Sequence, residues 1–381
     1  MKKVIILVIV VFFALLVTII YFLRDNEDIK IMNTNTNYED IKEIPNSYYG
    51  NANESGTLEE FYYDTYESTT YDEKSKPLRK RAIVYLPYGY DENKKYDILY
   101  LMHGGWSDET TSLGTPDNPG VFKNVIDNAI QNGEIRPIII VCPTYNNESN
   151  EDSADYTLAY YTLTVNYHNE LANDLIPAVE SKYSTYADGT SHEDIVASRN
   201  HRAFGGFSMG SVTTWHTFVN CLDSFQYFIT SSGAIDDDLI DSSVSKQGYT
   251  KDDFFITAFT GTEDFAYSGF NDLINRLLNK ESGNFVSGTN EENGNLYFRI
   301  KEGYSHDGTA FMTYMYNGLL KFYYKLLLLI MAHQQIQILH ILLSFVQCIL
   351  IRLEMMFLNQ SHHDLCFYHI LCSNYNLLLC H

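Results

Sequence analysis

The chain has 381 residues, 45% of them hydrophobic and 19% charged, which is long enough for one large domain or two small ones. Its formal net charge at pH 7 is −22, and because such a surface repels phosphate backbones we expect no nucleic acid partner. Only Cys142 and Cys221 precede residue 326, so we expect two buried free thiols and neither a disulfide framework nor a zinc site.

The N-terminal sixty residues predict a membrane anchor followed by a tether. Residues 4–23 are an apolar run, and a helix rising about 1.5 Å per residue would cross a bilayer core of roughly 30 Å over that length. Lysines precede the run and acidic residues follow it, so the N-terminus should be cytoplasmic and the rest of the chain outside. We expect residues 1–24 to be an uncleaved signal anchor, with a long cleaved signal peptide as the alternative. Residues 25–60 are polar without periodicity, which is typical of a linker.

Strands alternate with helices along residues 61–325, which we expect to form one domain. Short apolar runs predict strands at residues 81–87, 96–105, 137–143, 201–208, 225–232, 253–261 and 296–300. Helical spacing predicts helices at residues 121–133, 169–183, 211–222, 271–280 and 308–325. This alternation indicates the α/β class, with a mostly parallel central sheet and helices on both faces.

Residues 326–381 depart from this pattern. They contain no Gly, Pro or Lys, and they hold four of the chain's cysteines. Three interpretations stay open: a second membrane-seeking segment, a His/Cys metal tract, or sequence read out of frame. We favour the last, because His and Gln at mid-bilayer depth are costly, and we assign this tail no function.

A G-x-S-x-G motif occupies residues 206–210, between a predicted strand and a predicted helix. A serine on a sharp strand-to-helix turn projects its Oγ above the sheet, and flanking glycines allow the backbone to bend. The N-terminus of the following helix favours developing negative charge. We therefore interpret Ser208 as a nucleophile and not as part of a structural glycine turn.

A serine nucleophile needs a base, and on such a sheet an acid and then a histidine follow it along the chain. His306 lies in the loop after the last predicted strand, where a base would reach the edge of the sheet. His216 falls inside the helix that follows the serine, and we expect it to serve packing. Glu263 and Asp264 both follow the strand at residues 253–261, and both remain candidates for the acid on this reasoning.

Two backbone N–H groups should stabilise the oxyanion of an acyl-transfer reaction. One belongs to Met209, directly after the nucleophile. The other should come from the loop after the strand at residues 96–105, where we choose Gly105 first and Trp106 second. We expect His103, in the same loop, to be a structural turn residue and not the base.

Six stretches in chain order carry a resemblance to a known family. They read LYLMHGGWSDE, NAIQNGEIRPIIIVCPTYN, IPAVESKYSTYA, SRNHRAFGGFSMGSVTTWHTFVNCLD, TGTEDFAY and YSHDG. Together they resemble the feruloyl esterase branch of carbohydrate esterase family 1, found as modules of xylanases and cellulosomes, over about residues 78–324. The resemblance implies an α/β-hydrolase fold, and it places the nucleophile at Ser208, the acid at Asp264 and the base at His306.

The implied reaction is hydrolysis of hydroxycinnamoyl (feruloyl) esters on xylan through an acyl-enzyme, outside the cell and without metal or cofactor. The partners would be feruloylated arabinoxylan or small hydroxycinnamate esters. An aromatic acyl group requires an apolar slot, and the candidates for lining it are Trp106, Tyr145, Phe265 and Tyr267. Two positions depart from the family: Trp106 replaces a frequent third glycine, and Asp307 replaces a frequent aromatic residue after the base.

Other functions of the same machinery stay open on sequence alone. An acetylxylan esterase, another acyl-ester or thioester hydrolase, or an acyltransferase would use the same three side chains. An inactive, surface-displayed glycan-binding domain is a further alternative, and the presence of all three triad positions argues against it. The sequence makes no prediction of the oligomeric state.

Overall fold

The computed structural model of the protein describes residues 41–322. The predicted anchor at residues 1–24, the first part of the predicted linker and the tail at residues 326–381 lie outside the described residues. Between residues 41 and 322, no helix has both the length and the apolar character required to cross a bilayer.

Residues 41–322 contain one eight-stranded sheet. Its strands are β1 Thr57–Tyr66, β2 Pro77–Leu86, β3 Asp97–Met102, β4 Ile138–Cys142, β5 Arg202–Phe207, β6 Tyr227–Ser231, β7 Phe255–Gly261 and β8 Leu296–Lys301. The order is β1-β2-β4-β3-β5-β6-β7-β8, with antiparallel pairs only between β1 and β2 and between β2 and β4. The prediction of a mostly parallel central sheet is therefore confirmed.

The strands of the parallel part are buried along their whole length, which is why they read as continuous apolar runs. Every residue of β3, β4, β5, β6 and β7 is buried. A strand covered by helices on both faces has no solvent side to carry polar residues. The β-branched and aromatic side chains of these runs fit the pleated surface.

Helices connect the strands and cover the sheet. They are α1 Val121–Gln131, α2 Glu151–Ala154, α3 Tyr156–Leu158, α4 Thr164–Glu170, α5 Ile176–Lys182, α6 His192–Ala197, α7 Met209–Cys221, α8 Asp237–Lys246, α9 Tyr267–Leu278 and α10 Gly308–Leu319. Two π-helical turns, Ala159–Leu163 and Leu171–Leu175, join α3, α4 and α5 into one irregular helical run. Both α7 and α10 pack against β5 and β6.

The core beside α7 is aromatic. Phe218 of α7 contacts Phe228 and Phe254 edge-on, with ring centroids 5.1 Å and 4.9 Å apart, and Trp215 is 1% exposed. Burying an aromatic or large aliphatic side chain contributes about 1.5–3 kcal/mol. This packing holds α7, and with it the turn at its N-terminus, rigidly against the sheet. Cys142 and Cys221 are buried free thiols, as predicted.

The folded domain begins earlier than the predicted boundary at residue 61. Ile41, Ile44 and Tyr48 are buried, and Lys42 exchanges two hydrogen bonds with Asn317 of α10, through its N–H at 2.8 Å and its carbonyl at 2.9 Å. Residues 41–60 are therefore part of the domain and not of a tether. The linker prediction was wrong there because residues 41–60 are ordered by contacts with the rest of the domain, such as those with Asn317. Their sequence has no periodicity that would have indicated this.

Candidate active site

Ser208 lies on a sharp turn between β5 and α7. Its backbone has φ 60° and ψ −123°, a left-handed conformation that a residue with a side chain adopts only when the surroundings enforce it. Its N–H donates to the carbonyl of Ser231 at the end of β6. A Cβ at Gly206 would lie 2.5 Å from the Gly210 carbonyl, and one at Gly210 would lie 2.5 Å from the Met102 carbonyl. Both glycines of the motif are therefore required by close backbone approach.

Asp264 and His306 form a hydrogen-bonded pair at the carboxyl ends of neighbouring parallel strands. Asp264 follows β7 and His306 follows β8, and the imidazole Nδ1 lies 2.8 Å and 2.9 Å from the two carboxylate oxygens. The Asp264 side chain is fully buried, whereas that of His306 is 15% exposed. Because the carboxylate accepts from Nδ1–H, it leaves Nε2 as the free, basic nitrogen of the neutral ring.

The carboxylate of Asp264 is kept ionised by its partners. Burial raises its pKa, but hydrogen bonds from His306, from the Ala266 N–H and from the Ser232 side chain outweigh burial, so the pKa lies below its ordinary value. The Ala266 N–H donates to Oδ1 at 2.7 Å. Ser232 is a contributor that sequence reasoning missed, and no sequence signal points to it, because it reaches Asp264 only through the pairing of β6 with β7.

Aromatic rings hold the His306 imidazole at the serine turn. Its ring centroid is 4.4 Å from that of Phe207, the residue before Ser208, and 4.2 Å from that of Phe265. Asp307 fixes the following turn, because its Oδ1 accepts from the N–H groups of Thr309 and Ala310, each at 2.9 Å, and so caps α10. The departure from the family at Asp307 is thus a helix cap beside the candidate base.

The loop after β3 contacts Ser208. A Cβ built at Gly104 would lie 3.6 Å from the Cβ of Ser208. Within residues 41–322, the N–H groups of Gly105 and Met209 donate to no protein acceptor, so both are available to a substrate oxygen. The Trp106 N–H, in contrast, donates to the Ser153 carbonyl at 3.0 Å. Trp106, the second choice for the donor from this loop, does not fit that role, because its N–H is already used within the protein.

The four predicted substrate contacts differ in accessibility. The side chains of Trp106 and Phe265 are 70% and 82% exposed, whereas Tyr145 is 1% exposed. Tyr267 is half-buried at the start of α9. Tyr145 therefore cannot offer a face to an acyl group, and its assignment as a substrate contact was wrong. Its hydroxyl donates instead to the carbonyl of Gly104 at 2.8 Å.

Neither of the other histidines considered as a base is suited to that role. Burial lowers the pKa of His103 to about 4, and burial also lowers the pKa of His216 to about 4. Both rings stay neutral near neutral pH because a charged imidazolium would be desolvated. Across residues 41–322, no group of three His, Cys, Asp or Glu side chains is arranged to hold a metal ion.

Comparisons with known proteins give a family match and similar curated proteins. Residues 77–276 match the Esterase family model, described as "Putative esterase". Endo-1,4-beta-xylanase Y from Acetivibrio thermocellus is 39% identical over 254 residues, which make up 65% of this chain and 22% of that protein. The chain thus spans about a fifth of the length of the curated relatives it matches.

Two solved structures are similar to the described domain. One is a serine-to-alanine mutant of the feruloyl esterase module from Clostridium thermocellum complexed with sinapinate; it is 34% identical, with a TM-score of 0.63 over 76% of this chain and 97% of that chain. The other is a CE1 ferulic acid esterase from the anaerobic fungus Anaeromyces mucronatus. At 20% identity and a TM-score of 0.52 over 76% of this chain and 98% of that chain, it supports the α/β-hydrolase fold.

Proposed function

The chain belongs to the esterase family whose model matches residues 77–276, and from that premise we propose that it hydrolyses hydroxycinnamoyl esters on plant xylan. The family makes it a carboxylic ester hydrolase. In the proposal Ser208 is the nucleophile, His306 the base and Asp264 the acid, and the reaction passes through a feruloyl-enzyme. Feruloylated arabinoxylan and small hydroxycinnamate esters are the proposed substrates.

The observation that carries the proposal is the buried Asp264–His306 pair beside the strained Ser208 turn. A carboxylate with both oxygens within 2.9 Å of Nδ1 holds the imidazole in the tautomer whose Nε2 can accept a proton. The same carboxylate stabilises the imidazolium that results. The low pKa of Asp264 supports this role, because a protonated acid would lose that stabilising charge.

The proposed chemistry proceeds in two acyl-transfer steps. In the first, Ser208 Oγ attacks the ester carbonyl while His306 Nε2 takes the hydroxyl proton, and that proton then passes to the departing sugar oxygen. In the second, His306 Nε2 takes a proton from water as its oxygen attacks the acyl carbonyl; the proton then passes to Ser208 Oγ as the bond to the acyl group breaks, and the carboxylic acid leaves. The N–H groups of Gly105 and Met209 would bind the oxyanion of each tetrahedral intermediate.

The preference for an aromatic acyl group is supported by exposed aromatic side chains near the pair. The Phe265 ring contacts the His306 ring, and Trp106 lies in the loop that contacts Ser208 at Gly104. Each can contact a planar ring with its face, and such contacts are worth about 0.5–1.5 kcal/mol beyond the area they bury. The similar feruloyl esterase module from Clostridium thermocellum was solved in complex with sinapinate, which agrees with a planar hydroxycinnamate as the acyl group.

We propose an extracellular location, with the enzyme either secreted or held at the membrane by residues 4–23. The proposed substrate is a cell-wall polymer that does not enter cells, and the curated relatives are xylanases. The predicted export signal at the N-terminus supports the same placement.

The test is the release of ferulate from methyl ferulate by the full chain, beside the release of acetate from acetylated xylan. We expect ferulate release by the native protein, its loss in Ser208→Ala, and no change in Ser181→Ala, an exposed serine on α5. Preferential acetate release would favour an acetylxylan esterase, and transfer of the acyl group to added arabinose in preference to water would favour an acyltransferase. Unchanged turnover by Ser208→Ala would refute the proposal.

A further inference from the structure

On the side away from solvent, the loop after β3 is hydrogen-bonded to two buried aromatic side chains. We infer that His103 and Tyr145 hold the Gly104–Gly105 peptide in the orientation that presents the Gly105 N–H to the reacting oxygen. The inference rests on the proposed esterase function and adds two positioning residues to it. Neither side chain touches the substrate, since they are 3% and 1% exposed.

The carbonyl of Gly104 receives two hydrogen bonds from these side chains. His103 Nδ1 lies 2.7 Å from the carbonyl oxygen, and the Tyr145 hydroxyl lies 2.8 Å from it. The two rings stack on one another, with centroids 4.5 Å apart and an interplanar angle of 29°. Two donors from two stacked rings use both lone pairs of one carbonyl and leave it no freedom to rotate.

Fixing that carbonyl also fixes the next N–H. The peptide between Gly104 and Gly105 is trans, so its C=O and N–H are coplanar and point in opposite directions. With the carbonyl directed into the protein, the Gly105 N–H is directed outward, on the loop that contacts Ser208. The glycines alone would not ensure this orientation, because residues without Cβ adopt many backbone conformations.

The hydrogen-bond pattern assigns the His103 tautomer. A carbonyl oxygen can only accept a hydrogen bond, so Nδ1 of His103 must carry the proton that it donates to the Gly104 carbonyl. Nε2 then accepts from the Thr144 hydroxyl at 2.7 Å, while Thr144 Oγ1 accepts from the Asn146 N–H at 3.0 Å. Thr144 and His103 each accept one hydrogen bond and donate the next, from the Asn146 N–H through to the Gly104 carbonyl. The lowered pKa of His103 keeps its ring in the neutral form. Connected buried hydrogen bonds of this kind reinforce one another.

The first experiment removes one hydrogen bond and retains the ring. Tyr145→Phe in the full chain should lower kcat for methyl ferulate by about two- to tenfold, the range expected when one hydrogen bond is lost, with KM unchanged. The control is Tyr167→Phe, because Tyr167 is also 1% exposed and its hydroxyl has no partner within residues 41–322. A drop in kcat without a change in KM separates positioning of an oxyanion donor from general loss of structure.

The second experiment distinguishes the two nitrogens of His103. Asparagine places its amide nitrogen near the position of Nδ1, whereas glutamine places its own near Nε2. His103→Asn should therefore keep most of kcat. His103→Gln should lower kcat by about tenfold or more, but by less than the 10²- to 10³-fold loss in kcat expected when an oxyanion donor is removed. Thermal unfolding of both variants reports folding separately from turnover.

The outcomes separate this inference from the proposed function. If Ser208→Ala is inactive but Tyr145→Phe and His103→Gln keep native kcat, these two side chains do not position the donor, and only this inference is overturned. A raised KM at constant kcat, or an equal loss in Tyr167→Phe, overturns it as well. Turnover by Ser208→Ala would overturn the proposed function and the inference with it.

Discussion

The substitution Asp264→Asn replaces the buried carboxylate by an amide of the same shape. The Asn Oδ1 can still accept from the Ala266 N–H, which donates to Asp264 Oδ1 at 2.7 Å in the native protein. What is lost is the negative charge beside His306 Nδ1, at 2.8 Å. An amide nitrogen facing Nδ1 would also donate to it, which favours the tautomer with the proton on Nε2, the wrong one for a base.

The size of the effect follows from the geometry. Two opposite charges centred about 4 Å apart, at an effective dielectric constant of about 20, interact by about 4 kcal/mol. This term acts on the imidazolium formed in the transition state and corresponds to roughly a thousandfold in rate. The wrong tautomer adds to the loss, and a comparable change in another serine hydrolase lowers kcat by about 10⁴. We expect kcat to fall by about 10³ to 10⁴, with KM nearly unchanged because the side chain is fully buried.

The assay is steady-state release of ferulate from methyl ferulate at neutral pH. Glu263→Gln is the matched control, because Glu263 is the neighbouring carboxylate and is exposed; we expect its kcat to stay within about twofold of native. Thermal unfolding of both variants checks that each one folds. The reasoning would be refuted by an Asp264→Asn enzyme within tenfold of native, or by a loss in Glu263→Gln instead.

Three further predictions concern single residues. Trp106→Gly should change the free energy of unfolding by less than about 1 kcal/mol, because relief of the positive φ of 53° at this position offsets the greater entropy of the unfolded glycine chain. The same substitution should raise KM for methyl ferulate about two- to tenfold but leave KM for a small acetyl ester unchanged. Asp307→Ala should lower the free energy of unfolding by about 1 kcal/mol through loss of the α10 cap, whereas Asp307→Asn should preserve the cap; equal stability of the two variants in urea titrations would contradict this. The pKa of His216 is about 6.5 unfolded and about 4 folded, so the unfolded chain binds the proton first and stability falls as the pH drops. His216→Gln should therefore remove about 2 kcal/mol of the loss in stability between about pH 7 and pH 5, and an unchanged pH slope would be evidence against it.

The parts of the fold that sequence reasoning predicted correctly are those with strong local signals. The buried strands β3 to β7 read as apolar runs because both of their faces are covered. The turn at Ser208 is marked by glycines that close backbone contacts require. The strand β1 was not predicted, because it lies in an acidic, tyrosine-rich segment without a continuous apolar run. An alternation of Phe61, Tyr63 and Thr65, all buried, could have indicated it.

The parts that failed depend on how loops fold against one another. Tyr145 is an aromatic residue near the site in sequence, but only the path of its loop decides that the ring faces the protein interior. Trp106 has a backbone N–H at a reasonable position for an oxyanion donor, and only the approach of the Ser153 carbonyl shows that it is occupied. Glu263 and Asp264 could not be separated by spacing, because one residue along a turn decides which side chain faces His306.

The residue that carries the acyl group during turnover can be identified directly. The full chain would be mixed with an activated feruloyl ester, quenched in acid within the first turnover and analysed by peptide mass spectrometry. We expect a mass increase of one feruloyl group on the peptide that contains Ser208, with none in Ser208→Ala. A feruloyl group on any other side chain, or a burst of ferulate with no covalent intermediate, would contradict it.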